Sequence, residues 1–163
     1  MSFRIFSAAP EVITFASEQP SATTLDRSEL LACFPAQTTI DSSDGNLLTL
    51  DDAPMLGLVS EILGLRTALA GTASHAEVVD FYGDYKLMLK VFDDTFELTN
   101  AYSGELASAP QDVFDKAARI WSIEVLRQLE NRFSGLRHNE HYNWLKDNIL
   151  SSWENLPRSQ ETP

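Results

Sequence analysis

The sequence predicts an α+β fold, an antiparallel sheet with helices packed on one face and two long helices at the C-terminal end. Two observations carry that expectation. Residues 85–100 alternate apolar and polar side chains about Asp93-Asp94, the pattern of a hairpin lying on a core. From Pro110 onward the apolar spacing becomes helical and stays so to Leu156.

In chain order, "FRIF" and "VITFA" have the composition of strands and are separated by Pro10. "DRSELLACF" predicts a short helix. Asp26 stands at its N-cap, Glu29 completes a capping box, and Leu30, Leu31 and Phe34 share one face before Pro35. "TTIDSSDGNLLTL" divides into two extended runs around Asp44-Gly45, a hairpin dipeptide. Residues 54–70 predict the first long helix, with Met55, Leu58, Val59, Ile62, Leu65 and Leu69 at helical spacing and Gly71 at C′. Another face of that helix is small: Gly57, Ser60, Gly64, Thr67 and Gly71. An internal glycine costs a helix about 1 kcal/mol relative to alanine. Gly57 and Gly64 together therefore predict a backbone approached closely by another element, in the first place one of the same core. Ser74 and Glu77 form a second capping box, predicting a short helix ended by Gly83.

In the 85–100 hairpin a two-residue turn sets Val91 opposite Phe96 and Leu89 opposite Leu98, with Lys90 opposite Glu97 on the other side. Leu87, Leu89, Val91, Phe96 and Leu98 are then the core face. Asp-Asp is not a favoured primed-turn dipeptide, so a longer loop competes with that reading. Pro110 opens a helix to about Phe133, carried by Val113, Phe114, Ala117, Trp121, Val125, Leu129 and Phe133 and stopped by Ser134-Gly135. The last helix, over residues 139–156, has Tyr142, Leu145, Ile149 and Trp153 along one stripe. One globular domain is expected over residues 1–156, with a disordered tail over 157–163.

Composition narrows the function classes. The single cysteine, Cys33, excludes an internal disulfide framework and fits a reducing compartment. Pro10 and Glu11 interrupt the N-terminal apolar run that a signal peptide requires, so a cytoplasmic location is expected. Glu61 and Arg66 break the most apolar stretch, which falls short of the roughly 20 apolar residues of a membrane span. Net charge is −12 and uneven: 16 acidic against 5 basic side chains over residues 1–110, then 8 against 7. Such a field repels nucleic acid and anionic membranes and speeds association with a basic protein.

The sharpest chemical candidate is "HNEH", where His138, Glu140 and His141 stand together. A zincin requires His-Glu-x-x-His, and this spacing is one residue short. A zinc deaminase adds Pro-Cys-x-x-Cys, which one cysteine cannot supply. The Glu-x-x-His of di-iron bundles is missing too. Asn139 is a good N-cap, placing His138 outside the last helix and His141 in its first turn, so the stretch reads as a helix start. Cys33 reads as a small hydrophobe. "DSSDGNLLTLDD" has the length of a calcium loop but lacks its closing glutamate. No cofactor or metal is expected.

These features predict an interaction protein that binds and neutralises a basic partner, as a bacterial immunity or inhibitor protein does for a nuclease-type toxin. The expected contacts are Asp41, Asp44, Asp51, Asp52, Asp80, Asp84, Asp93 and Asp94, with Tyr82, Tyr85 and Tyr102 as aromatic anchors. Asp51 and Asp52 have a competing role as caps of the helix that follows. Two other readings stand beside this one. The first is an enzyme with a dispersed site near His138, Glu140 and His141. The second is a secretion chaperone or adaptor using the small-residue helix face.

Overall fold

The computed structural model describes residues 3–9, 22–42, 44–71, 73–80 and 83–157. Strand β1 (Arg4–Ser7) precedes helix α1 (Arg27–Ala32), then β2 (Pro35–Asp41) and β3 (Leu47–Pro54) lead into α2 (Met55–Ala68). Four strands follow, β4 (His75–Val79), β5 (Lys86–Phe92), β6 (Thr95–Asn100) and β7 (Leu106–Pro110), then α3 (Gln111–Arg132) and α4 (Glu140–Glu154). The strands make two antiparallel sheets, β1-β2-β3 and β4-β5-β6-β7. The fold is α+β, with the long C-terminal helices where the period change places them.

Helix α2 lies at the centre. Met55, Leu56, Leu58, Val59 and Ile62 are fully buried, and the helix touches both sheets and α1, α3 and α4. A helix apolar on most sides can only be stable inside a core. Arg66 is the exception in its chemistry and not in its burial, being 1% exposed. Its Nε and Nη2 donate to the two carboxylate oxygens of Asp115 on α3 at 2.7 and 3.0 Å. Nη2 also donates to the Pro157 carbonyl at 3.2 Å, and the guanidinium lies 5.0 Å from the Phe96 ring centroid. The first residue of the expected tail is thus held to the core; residues 158–163 lie outside the described residues.

The 85–100 hairpin has the predicted register: Val91 pairs with Phe96, Leu89 with Leu98 and Lys90 with Glu97. The turn is the two-residue one, Phe92 pairing with Thr95 and Asp93 taking a φ of 49° that aspartate tolerates better than most residues. Leu87, Leu89, Phe96 and Leu98 are buried, and Val91 is half-buried.

Three expectations are corrected. Residues 75–79 form strand β4, not a helix: Ala76 and Val78 face inward, and the segment pairs with β5 from His75↔Lys90 to Val79↔Lys86. Strand pairing and two adjacent β-branched valines outweigh the local capping signal of Ser74 and Glu77. Asp51 and Asp52 do not cap α2, whose N-cap is Pro54 without a side-chain bond. They form a bulge opposite Gln37, since Ala36 pairs with Ala53 but Thr38 pairs with Leu50. Asp52 takes the left-handed φ of 52°, and Asp51 accepts from Gln37 Nε2 at 2.7 Å. Finally, α2 ends at Ala68 with Leu69 as C-cap, two residues before Gly71 could act as C′. The "VITFA" segment lies outside the described residues.

The two glycines of α2 have different causes. A Cβ on Gly57 would stand 2.3 Å from the Leu31 carbonyl oxygen of α1, whereas one on Gly64 would meet nothing within 4 Å. Gly57→Ala is therefore expected to destabilise by about 1–3 kcal/mol, because the clash is with backbone. Gly64→Ala should stabilise by about 0.5–1 kcal/mol through helix propensity. Urea titration of both variants checks the contrast; equal and same-signed effects would contradict it.

Candidate functional site

Beyond Gly57, the small-residue face of α2 is not covered by the core. It opens into a groove of about 570 Å³ bounded by α1, α2 and β4. Gly57, Ser60, Gly64 and Ala68 give its α2 wall, one face of a helix at offsets of three and four residues. Leu31 and Ala32 of α1 and Ala76 and Val78 of β4 supply the facing apolar surface. Most of the groove is apolar, and among the described residues no lysine, arginine or histidine lines it.

Three acidic residues line it, Glu61, Glu77 and Asp80; Glu77 is exposed and pairs with Lys86 at 3.4 Å, which leaves two. Glu61 stands between Ser60 and Gly64 on α2, and Asp80 follows β4 and is 5% exposed. The Tyr85 hydroxyl donates to Glu61 Oε2 at 2.7 Å, and the Asp80 backbone N–H donates to the Tyr85 carbonyl at 3.0 Å. Among the described residues no lysine or arginine nitrogen lies within salt-bridge distance of Glu61 or Asp80. Burial raises the Glu61 carboxyl from 4.5 to about 7; the Tyr85 hydrogen bond opposes the rise and the Asp80 charge adds to it. Burial likewise pushes the Tyr85 phenol upward, so it stays a neutral donor. The site is an apolar groove carrying two acidic groups, half-buried Glu61 and buried Asp80, without a counter-charge among the described residues.

The sign of the resulting pH dependence is fixed. The folded state holds a proton on Glu61 up to about pH 7, while the unfolded chain releases it near 4.5. This group's contribution to stability is full below 4.5 and is lost as pH rises through about 7. Glu61→Gln keeps an acceptor for Tyr85 and removes the titration. Its stability relative to the parent protein is expected to rise from pH 5 to pH 8 in urea titrations, and a flat difference would contradict the assignment.

The residues expected from sequence do not gather into one patch. Asp80 and Tyr85 are interior, so they are withdrawn as exposed contacts and belong to the groove. Tyr82 lies outside the described residues. The Asp44 carboxylate accepts from Ser42 Oγ and from the backbone and side chain of Asn46, bonds that lower its pKa and build the β2–β3 turn. Asp41 stands 3.6 Å from Arg4. Asp84 and Tyr102 are exposed at one end of the second sheet and Asp93 and Asp94 at the other, the length of β5 apart. At about 3.4 Å per residue that separation is on the order of 20 Å.

The histidine stretch is built as a helix start. Asn139 is fully buried; its Oδ1 accepts from the His141 and Tyr142 N–H groups, and its Nδ2 donates to the carbonyls of Ala22 and Leu25. His138 is exposed, and the His141 imidazole stands 3.9 Å from the Glu140 carboxylate. Among the described residues no three His, Cys, Asp or Glu side chains converge as metal ligands. No described helix is long and apolar enough to cross a membrane.

Comparison with protein-family models, with curated proteins and with solved structures found no match. The site is therefore interpreted from its own chemistry. Sequence reading located the small-residue face but not Glu61. The available signal was an acid at Gly57+4 and Gly64−3, on the same stripe as the glycines.

Proposed function

We propose that this chain is an interaction protein that binds and neutralises a basic protein, in the manner of an immunity or inhibitor protein acting on a nuclease-type toxin, and that the α2 groove is its principal contact. The observation that carries this reading is the pair Glu61 and Asp80, held in an apolar groove with no cation beside them among the described residues. Burying an unpaired charge is costly, which is why Glu61 keeps its proton up to about pH 7; a partner's lysine or arginine supplies the pair that lets it ionise. The net charge of −12 acts at longer range, steering a basic protein toward the groove before contact. The exposed acids on the turns contribute to that steering and, being spread over opposite ends, not to one shared contact.

The groove's preformed opening at Gly64 favours a second reading, an adaptor or secretion chaperone that holds a basic client without inhibiting it. One experiment separates the two. The tagged chain is used to capture partners from its native cells, and the captured protein's own activity is titrated with the purified chain. A basic partner silenced at one equivalent, binding roughly tenfold more slowly at physiological than at low salt, supports inhibition. A basic partner that stays active supports the adaptor. Captured partners that are acidic, with salt-independent association, would reject both.

A further inference from the structure

The groove runs beside a strand whose outer edge is unpaired among the described residues. Strand β4 is the outer strand of its sheet. The Val91 N–H donates to the Ser74 carbonyl and the Asp80 N–H to the Tyr85 carbonyl. Hydrogen-bonding residues of an antiparallel pair alternate, so Ala76 and Val78 also bond toward β5, and the N–H and C=O groups of His75, Glu77 and Val79 point off the edge. These three residues are exposed, and among the described residues no backbone partner meets them. Glu77 borders the groove, and its carboxylate stands 3.4 Å from Lys86 Nζ. The edge carries no proline or bulge; of the devices by which edge strands usually avoid pairing it has only its five-residue length and the charge of Glu77.

Building on the proposed reading, we infer that the basic partner docks by adding an extended segment to the β4 edge and places a lysine or arginine side chain in the groove against Glu61 and Asp80. Main-chain bonds to His75, Glu77 and Val79 give the segment its register. Side chains of an added strand alternate between faces, so every second one lies on the Ala76 and Val78 side and enters the groove beside Gly64. There the apolar stem of a lysine or arginine covers apolar surface, and its head meets the two carboxylates. The small residues of α2 leave the width such a stem needs.

The test uses the full chain and a short capped peptide alternating lysine and valine, followed by amide NMR. Two control peptides accompany it, one N-methylated at alternate residues and one with glutamate in place of lysine. The expected result is shifts at His75, Glu77, Val79, Glu61 and Gly64, with affinity reduced about tenfold or more by N-methylation, by the glutamate exchange and by Glu61→Gln. Glu61→Gln keeps the Tyr85 hydrogen bond, and its unfolding curve confirms that the fold is retained. Shifts confined to the Asp84, Asp93 and Asp94 turns, indifferent to N-methylation, would overturn strand addition while leaving a basic partner in place. Absence of binding by the lysine peptide at about 1 mM, in a chain that also fails to bind basic proteins, would overturn the inference together with the reading beneath it.

Discussion

Asp115→Ala is expected to lower stability by about 3–5 kcal/mol, the typical cost of leaving a buried charge without its partner. Arg66 is 1% exposed, and its bidentate bonds to Asp115 join the central helix α2 to α3. The Pro157 carbonyl and the Phe96 ring remain after the substitution, but neither carries a full negative charge. Replacing both members of the pair, Arg66→Met with Asp115→Leu, should recover most of the loss, because the desolvation cost of the guanidinium disappears with it. Urea titration of the three proteins decides the matter. A loss under about 1 kcal/mol for the single variant would show that water reaches the guanidinium.

Leu89→Ala should cost about 2–5 kcal/mol by removing a fully buried side chain from the middle of the second sheet. Leu89 pairs with Leu98 on β6 and with Ala76 on β4, so the cavity would open between three strands that cannot close independently. The strand next to it borders the groove, and the cavity is therefore expected to loosen the β4 edge as well. A change below about 0.5 kcal/mol in the same titration would reject the placement of Leu89 in the core.

The two elements at issue in these predictions were unequally legible. The hairpin announces itself because alternation on both strands agrees with a short turn, and register follows from which residues are apolar. The long helices are legible for the same reason, from their 3.6-residue spacing, and Asn139 marks the last one through its cap. Residues 75–79 mislead because Ser74 and Glu77 satisfy a local rule that pairing with β5 overrides. Asp51 and Asp52 mislead similarly, since a bulge is a property of two strands and leaves no mark on one.

The site was legible in its glycines and, as contacts expected to be exposed, in Asp80 and Tyr85. The glycine spacing shows that something lies close to α2, but not that Gly57 meets the Leu31 carbonyl while Gly64 faces open space. The meeting of Glu61, Asp80 and Tyr85 depends on how α2 lies across β4 and β5, which no local pattern encodes. Asp80 and Tyr85 looked like exposed turn residues because turns are usually wet, but both are buried, and the Tyr85 hydroxyl reaches Glu61 on α2.

The central claim, that a basic partner occupies the α2 groove, is tested most directly by filling the groove. Gly64→Phe adds a large side chain at a position where nothing lies within 4 Å of a Cβ, so the fold should survive, as an unfolding midpoint no lower than the parent's would show. The measurement is the affinity of the captured basic partner for this variant and for the parent protein at physiological salt. The account predicts binding weakened at least tenfold, about 1.4 kcal/mol. Equal affinity in a folded Gly64→Phe protein would contradict it and return the interface to the acidic turns.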